Sequence, residues 1–97
     1  MNRIRFHPEA RLEYLESVTR YEVQLVGLGE RFIDAVTDSL RRIQSNPLIY
    51  RKVNAECRQS RVRRFPYGII YRSGHGCAEI IAVMHLHRKP GYWETRM

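Results

Sequence analysis

The spacing of apolar residues predicts a first helix early in the chain. Between Ala10 and Leu25, apolar side chains recur three or four residues apart after an adjacent first pair, and charged residues fill the gaps. These apolar residues are Tyr14, Leu15, Val18, Tyr21 and Leu25. His7-Pro8-Glu9 is typical of a helix start, because the missing proline N–H would have no partner there and Glu9 suits the positive helix end. The pattern indicates one amphipathic helix after a short strand at residues 4–7.

A second amphipathic helix is predicted after the interruption at Gly27-Leu28-Gly29. Its apolar residues keep to one face. They are Leu28, Phe32, Ala35, Val36, Leu40 and Ile43. Asn46-Pro47 ends the helix, because proline cannot continue the ladder of backbone hydrogen bonds. The short glycine turn makes the two helices antiparallel neighbours, so we expect a helical hairpin.

The second half of the chain changes to a pattern that is typical of strands. Residues 61–65 alternate as in a strand, and Tyr67–Tyr71 is rich in residues that favour β-structure. Ala78–Met84 is mostly apolar, like a strand that is buried on both faces. Ser73-Gly74-His75-Gly76 between the last two runs is typical of a hairpin turn. Together these runs predict an antiparallel meander of three strands.

The order of the elements predicts an α+β fold. An N-terminal strand, an antiparallel helical hairpin and a three-stranded antiparallel meander (β-α-α-β-β-β) place the helices on one face of the sheet. We expect the N-terminal strand to join the edge of this sheet, and the arginines to lie on the opposite face. The sequence contains no internal repeat and no low-complexity tract, so residues 1–97 are expected to form a single domain.

The net charge of +7 comes entirely from the second half of the 97-residue chain. Residues 1–50 contain seven basic and seven acidic side chains, whereas residues 51–97 contain ten basic and three acidic ones. This uneven distribution of charge indicates what the protein binds rather than how it folds, because a positive surface attracts polyanions or an acidic protein. A nucleic acid or an acidic protein is therefore the expected kind of partner.

Composition excludes several other classes of protein. No apolar run approaches the ~20 residues that cross a bilayer, and the charged N-terminus lacks the apolar core of a secretory signal. We therefore expect a cytoplasmic protein with no membrane partner. Cys57 and Cys77 form neither a disulfide framework nor a metal-ligand motif. His85 and His87 have no third ligand nearby in the sequence, so we expect no metal and no cofactor.

A series of short motifs runs along nearly the whole chain. They are Tyr21-Glu22, Gly27-Leu28-Gly29, Phe32, Asn46-Pro47, the run Arg64–Tyr71, Ala82–His85, His87–Pro90, Trp93 and Arg96. As a series they resemble the RelE/ParE superfamily of bacterial toxins, and more closely its ParE-like branch. The resemblance implies the toxin of a type II toxin–antitoxin module. It also implies an acidic antitoxin that binds as an amphipathic helix, as an added strand, or as both. Members of the superfamily either poison DNA gyrase or cleave mRNA on the ribosome.

A member that cleaves mRNA needs groups for proton transfer and for phosphate binding. Arginines hold phosphate, histidine transfers protons near neutral pH, and an aromatic ring stacks on an exposed base. Arg61 and Arg63 share a face if their strand is regular, because side chains alternate along a strand. The catalytic candidates for a ribosome-dependent endoribonuclease are Arg61, Arg63, His85, Arg88 and Tyr92.

A member that acts by binding uses a broader cationic set. The candidates for contact with a protein or nucleic-acid target are Arg61, Arg63, Arg64, Arg72, Arg88, Lys89, Trp93 and Arg96. Structural roles compete with these, since Tyr92 and Trp93 also fit the pinning of a C-terminal tail to the core. The ParE-like resemblance and the lack of a convincing acid–base set favour a toxin that binds and poisons DNA gyrase. The alternatives are the endoribonuclease and a non-toxic, interacting member of the family.

Overall fold

The computed structural model describes residues 2–97, which form two α-helices and four strands. In chain order the elements are β1 (Arg3–Phe6), α1 (Pro8–Gln24), α2 (Leu28–Ser45), β2 (Cys57–Arg61), β3 (Tyr67–Gly74) and β4 (Cys77–His85), followed by a 3₁₀ turn at Glu94–Arg96. Neither helix within these residues is long and apolar enough to cross a membrane. The α+β order predicted from the sequence is confirmed.

The helical hairpin forms as predicted. Polar side chains accept hydrogen bonds from backbone N–H groups at the start of α1 and at the turn between the helices. The His7 imidazole accepts a hydrogen bond from the Glu9 backbone N–H at 3.1 Å, which caps the first turn of α1. At the turn between the helices, the Glu22 carboxylate accepts a hydrogen bond from the Gly29 backbone N–H at 3.0 Å. A Cβ at Gly29 would lie 2.9 Å from the Val18 carbonyl oxygen, so glycine permits the close approach of α1 and α2.

The four strands form one mixed sheet in the order β1-β4-β3-β2. β2, β3 and β4 pair antiparallel, which confirms the predicted meander. β1 joins the edge of the sheet as predicted, by pairing parallel with β4. A two-residue turn joins β3 to β4, and its residues His75 and Gly76 both have positive φ, at 53° and 72°. This combination is typical of the type I′ turn, whose twist matches that of hairpin strands.

β2 lies earlier in the chain than the sequence predicts. The predicted strand covers residues 61–65, whereas the strand ends at Arg61 and residues 62–66 form the loop to β3. In this loop Arg64 adopts a positive φ of 70°, which does not fit an extended strand, and Pro66 has no N–H to donate. Arg61 and Arg63 therefore do not share a strand face, and that prediction is wrong.

The main core lies between the helical hairpin and one face of the sheet. Phe32 of α2 is fully buried, and the ring centroids of Tyr21, Phe65 and Tyr67 lie 4.9–5.1 Å from its own. The Tyr67 hydroxyl donates to Ser17 Oγ at 2.9 Å, which ties β3 to α1. The prediction that the helices pack on one face of the sheet is confirmed.

The opposite face of the sheet, here called the far face, is not an open cationic surface. The strand registers direct four arginines towards it, namely Arg3, Arg5, Arg61 and Arg72. These arginines surround an apolar centre, where Ile70, Ile81 and Met84 are buried together with Trp93 of the C-terminal segment. The expectation that arginines lie on this face therefore holds for four of them, but they surround an apolar centre, because β4 is apolar on both faces and a second layer must shield it from water.

A buried hydroxyl fixes the connector that leads from α2 to β2. Tyr71 of β3 is fully buried, and its hydroxyl donates to the Pro47 carbonyl oxygen at 2.6 Å. Burial raises the pKa of Tyr71 from 10.0 to about 12. The connector is therefore held to the sheet by a group that stays protonated well above neutral pH.

We expect Tyr71→Phe to lower the free energy of unfolding by about 1 kcal/mol at neutral pH, because the Pro47 carbonyl loses its partner. The unfolded chain ionises this tyrosine first, near its ordinary pKa of 10.0, so the wild type loses stability as the pH rises towards about 12. Urea unfolding should therefore show that the free energies of unfolding of the wild type and Tyr71→Phe become more alike as the pH rises from 10.0 to about 12. Tyr50→Phe, at a partly buried neighbouring ring, is the control. A difference that stays constant with pH contradicts the prediction.

Candidate functional site

The C-terminal segment, residues 86–97, folds across the far face and leaves a cavity of about 530 Å³ between itself and β2. We call this space the tail cavity. Its floor is apolar and buried, and its rim carries exposed guanidinium groups. The floor includes Ile70, Met84 and Trp93, and the rim includes Arg51, Arg61 and Arg88. A cavity of this size accepts a small ligand or the side chains of a partner protein.

The pairing of β2 with β3 places the cationic rim. Arg61 lies opposite Gly68 and Gln59 opposite Ile70, so both β2 side chains point to the far face. Glycine at position 68 leaves room for Gln59, since a Cβ there would lie 2.7 Å from Gln59 Nε2. Arg51 reaches the same rim because the connector runs along the edge of β2, where the Arg51 carbonyl oxygen accepts a hydrogen bond from the Gln59 N–H at 3.1 Å.

One carboxylate of α1 holds the C-terminal segment in place. Glu13 accepts two hydrogen bonds from Arg96, each at 2.9 Å, one from Arg88 at 3.2 Å and one from the Tyr92 hydroxyl. It also accepts a hydrogen bond from the backbone N–H of Val83 in β4 at 3.1 Å. The Glu13 and Arg96 side chains are only 11% and 8% exposed, so solvent and salt screen this ion pair weakly.

The surroundings of Glu13 shift two pKa values in directions that preserve these contacts. Burial acts to raise the pKa of Glu13, but the hydrogen bonds from Arg96, Tyr92 and Val83 outweigh it, so the pKa is lowered overall. Burial first, and then the Glu13 carboxylate, raise the pKa of Tyr92. At neutral pH Glu13 is therefore ionised and Tyr92 is protonated, which keeps acceptor and donor matched.

Two further contacts fix the C-terminal segment. The guanidinium of Arg88 lies 3.8 Å from the centroid of the Tyr92 ring, and that of Arg96 lies 5.0 Å from it. At the end of the chain, Met97 Sδ lies 3.1 Å from Cys57 Sγ of β2. These contacts agree with the interpretation that Tyr92 and Trp93 hold the C-terminal tail on the core.

The five candidates for ribonuclease chemistry do not form one site, because Arg88 lines one cavity with His85 and a different one with Arg61. His85 lies opposite Tyr67 in the β3–β4 register, and its ring packs against that of Tyr67 at 5.4 Å on the helix side of the sheet. Arg61 points to the far face instead. Arg63 lies in the loop before β3, and Tyr92 is held by Glu13. Residues 2–97 also contain no group of three or more side chains placed to hold a metal ion.

The side of the sheet on which His85 lies is set by a bulge in β4. Tyr71 pairs with Ile80 and Ile70 with Ala82, so Ile81 is an extra residue without a partner in β3. Before the bulge, Ile80 belongs to the core under the helices; after it, Val83 does. One extra residue therefore moves every later odd-numbered side chain of β4 to the helix side.

The broader set of cationic candidates is spread over the surface. Three of its eight members line the tail cavity, and they are Arg61, Arg88 and Trp93. The others lie elsewhere: Arg63 and Arg64 beside α2, Arg72 in ion pairs with Glu79 and Glu56, Lys89 in an exposed part of the C-terminal segment, and Arg96 in its contact with Glu13.

Two residues of the site are absent from the sequence-derived candidates. Arg51 lies in a connector without periodic pattern, and nothing in the sequence places it beside Arg61. Glu13 resembles the other charged residues that fill the gaps between apolar positions of the first helix. Its helical spacing contains a signal, because it lies three residues after Ala10 and four before Ser17, which are 0% and 2% exposed. Glu13 therefore belongs to the buried face of α1.

Comparisons with known proteins place the chain in a family. Residues 4–90 match the family model described as "ParE toxin of type II toxin-antitoxin system, parDE". The chain is similar to a solved structure titled "Chromosomal ParDE TA system from P. aeruginosa", with a TM-score of 0.63 and 16% sequence identity, over 88% of this chain and 96% of that chain. This likeness shows a shared fold. No curated protein matches the sequence. Because the family model covers most of the chain, the protein belongs to the ParE toxin family of type II toxin–antitoxin systems.

Proposed function

We propose that this ParE-family toxin inhibits growth by binding and poisoning DNA gyrase, and that the tail cavity makes the contact. The apolar floor and the guanidinium groups of the cavity suit an acidic or amphipathic surface of a partner. The observation that carries the proposal is the gathering of Arg61, Arg88 and Trp93 in one cavity. The separation of Arg61 from His85 by the sheet favours binding over RNA cleavage.

The charges at the rim of the tail cavity are available to a partner. Arg51 and Arg61 are exposed and have no ion-pair partner within residues 2–97, whereas Arg88 shares Glu13 at 3.2 Å. A guanidinium beside an apolar floor gains most when a partner covers it, because removing water strengthens its hydrogen bonds to carboxylate or phosphate. We therefore expect Arg51 and Arg61 to contribute most to target contact.

We also propose that an acidic antitoxin neutralises the toxin by docking on α1 and β1. α1 exposes a stripe of apolar side chains, Leu12, Leu15 and Val23, which are 46–83% exposed and suit the apolar face of an amphipathic helix. β1 is an edge strand that carries the exposed Arg3 and Arg5, so an acidic strand fits beside it. The net charge of +7 would steer either element towards the toxin.

We expect Arg61→Ala to weaken the inhibition of gyrase at least tenfold, because a hydrogen bond to a charged group contributes ~1.5–3 kcal/mol. The measurement is the toxin concentration that halves the supercoiling of relaxed plasmid DNA by purified gyrase. Arg41→Ala on α2 removes the same charge from an exposed site outside the tail cavity, and it should inhibit like the wild type. Equal inhibition by Arg61→Ala and the wild type would exclude the cavity as the contact.

The alternative activities give different results in parallel assays. Cleavage of mRNA on purified ribosomes by the wild type, with gyrase unaffected, would identify an endoribonuclease. Normal growth on expression without an antitoxin would identify a non-toxic, interacting member of the family. Either result overturns the gyrase proposal, while the family membership would stand.

We expect Val23→Glu to weaken antitoxin binding at least tenfold, because it places a carboxylate in an apolar contact with an acidic helix. The measurement is calorimetric titration with the acidic protein encoded by the gene beside that of the toxin. Leu48→Glu, at a 66% exposed residue of the connector after α2, makes the same change away from α1 and serves as the control. If Val23→Glu binds as tightly as the control, the antitoxin does not use the α1 stripe.

A further inference from the structure

We infer that Glu13 is the positioning residue of the tail cavity: its carboxylate holds the C-terminal segment against β4 and thereby places Arg88 and Trp93 at the cavity. The consequence for target binding rests on the proposed function of the cavity. The placement itself is measurable without any target.

The first argument comes from the backbone of β4. β1 ends at Phe6, which pairs with Ile80, whereas β4 continues to His85. Beyond Ile80 no strand formed by residues 2–97 lies beside this edge, yet two of its backbone groups have partners. The Val83 N–H donates to Glu13 at 3.1 Å, and the Ile81 carbonyl oxygen accepts a hydrogen bond from Arg96 at 3.0 Å. The Glu13–Arg96 pair thus takes the place of the strand that β4 lacks here.

The second argument comes from the charge balance of Arg96. Its side chain is 8% exposed, and Glu13 supplies its two close carboxylate contacts. Glu9 lies 3.8 Å away from Arg96 Nε, and it is 63% exposed, so it compensates the buried charge weakly. Neutralising Glu13 would leave a buried guanidinium without a close counter-ion, which is costly. Release of the C-terminal segment relieves this cost, because it returns Arg96 to water.

The protein contains its own probe of this release. Trp93 is the sole tryptophan of the chain, it is 4% exposed, and it lies in the segment that Glu13 holds. When the segment leaves the sheet, the indole enters water. Its fluorescence emission then moves to longer wavelength, and acrylamide quenches it more strongly.

The decisive comparison is Glu13→Gln, which keeps the shape of the side chain and removes its charge, against Glu16→Gln on the same helix. Glu16 is exposed and has no ion-pair partner within residues 2–97. We expect acrylamide quenching of Trp93 to rise severalfold in Glu13→Gln and to stay at the wild-type value in Glu16→Gln. Both variants should keep the far-ultraviolet circular dichroism of the wild type. Wild-type quenching in a folded Glu13→Gln protein would overturn the inference.

A second variant keeps the test decisive if Glu13→Gln fails to fold. Arg96→Gln removes the other half of the pair and should also expose Trp93. Where Glu13→Gln does fold, the double variant should expose Trp93 no more than either single variant does, because the two residues act through each other. Additive exposure in the double variant, or a buried Trp93 in Arg96→Gln, would overturn the inference.

Measuring gyrase inhibition by the same variants distinguishes failure of this inference from failure of the proposed function. Glu13→Gln should weaken gyrase inhibition at least tenfold, like the loss of a rim arginine, while Glu16→Gln should inhibit normally. If the wild type does not inhibit gyrase, the proposed function fails and the Trp93 measurement still decides the placement. If Glu13→Gln exposes Trp93 but inhibits gyrase like the wild type, the positioning role is overturned.

Discussion

The fold depends most on covering both faces of β4, because this strand is apolar on each of them. In β4 the residues from Ile80 to Met84 are all buried, so water must be excluded from both sides of the sheet centre. The helical hairpin excludes it on one side, and the C-terminal segment excludes it on the other. The hydrophobic effect therefore requires three layers where the element order suggests two. Burial of β4 explains why the last twelve residues of the chain belong to the fold.

The same cover creates the candidate site. The C-terminal segment is tied to α1 through Glu13 and to β2 through Met97, and its earlier residues leave the tail cavity between the segment and β2. The segment thus serves packing and also shapes the candidate site. Any change that loosens it alters the shape of the cavity and exposes the apolar centre of the far face. Toxin stability and target binding are expected to be linked for this reason.

Local signals in the sequence predict the helical hairpin and the β3–β4 hairpin well. Helix ends depend on neighbours a few residues away, such as His7 before Glu9, and the turn at His75-Gly76 depends on the freedom of glycine at positive φ. The prediction for β2 fails because alternation in residues 61–65 competes with backbone preferences that favour a loop. The positive φ of Arg64 and the proline at 66 decide the outcome there.

The sequence alone determined the number and type of the elements, the positive charge of the second half, and the resemblance that the ParE family model confirms. The tertiary structure decided which charged residues meet. A single bulge at Ile81 puts His85 on the helix side, and the folding back of the chain end brings Arg96 to Glu13. The Arg96–Glu13 contact joins residues 83 positions apart, and both outcomes depend on strand register and on the path of the chain. Short-range patterns contain neither, so a list of candidate residues cannot become a site until the chain is folded.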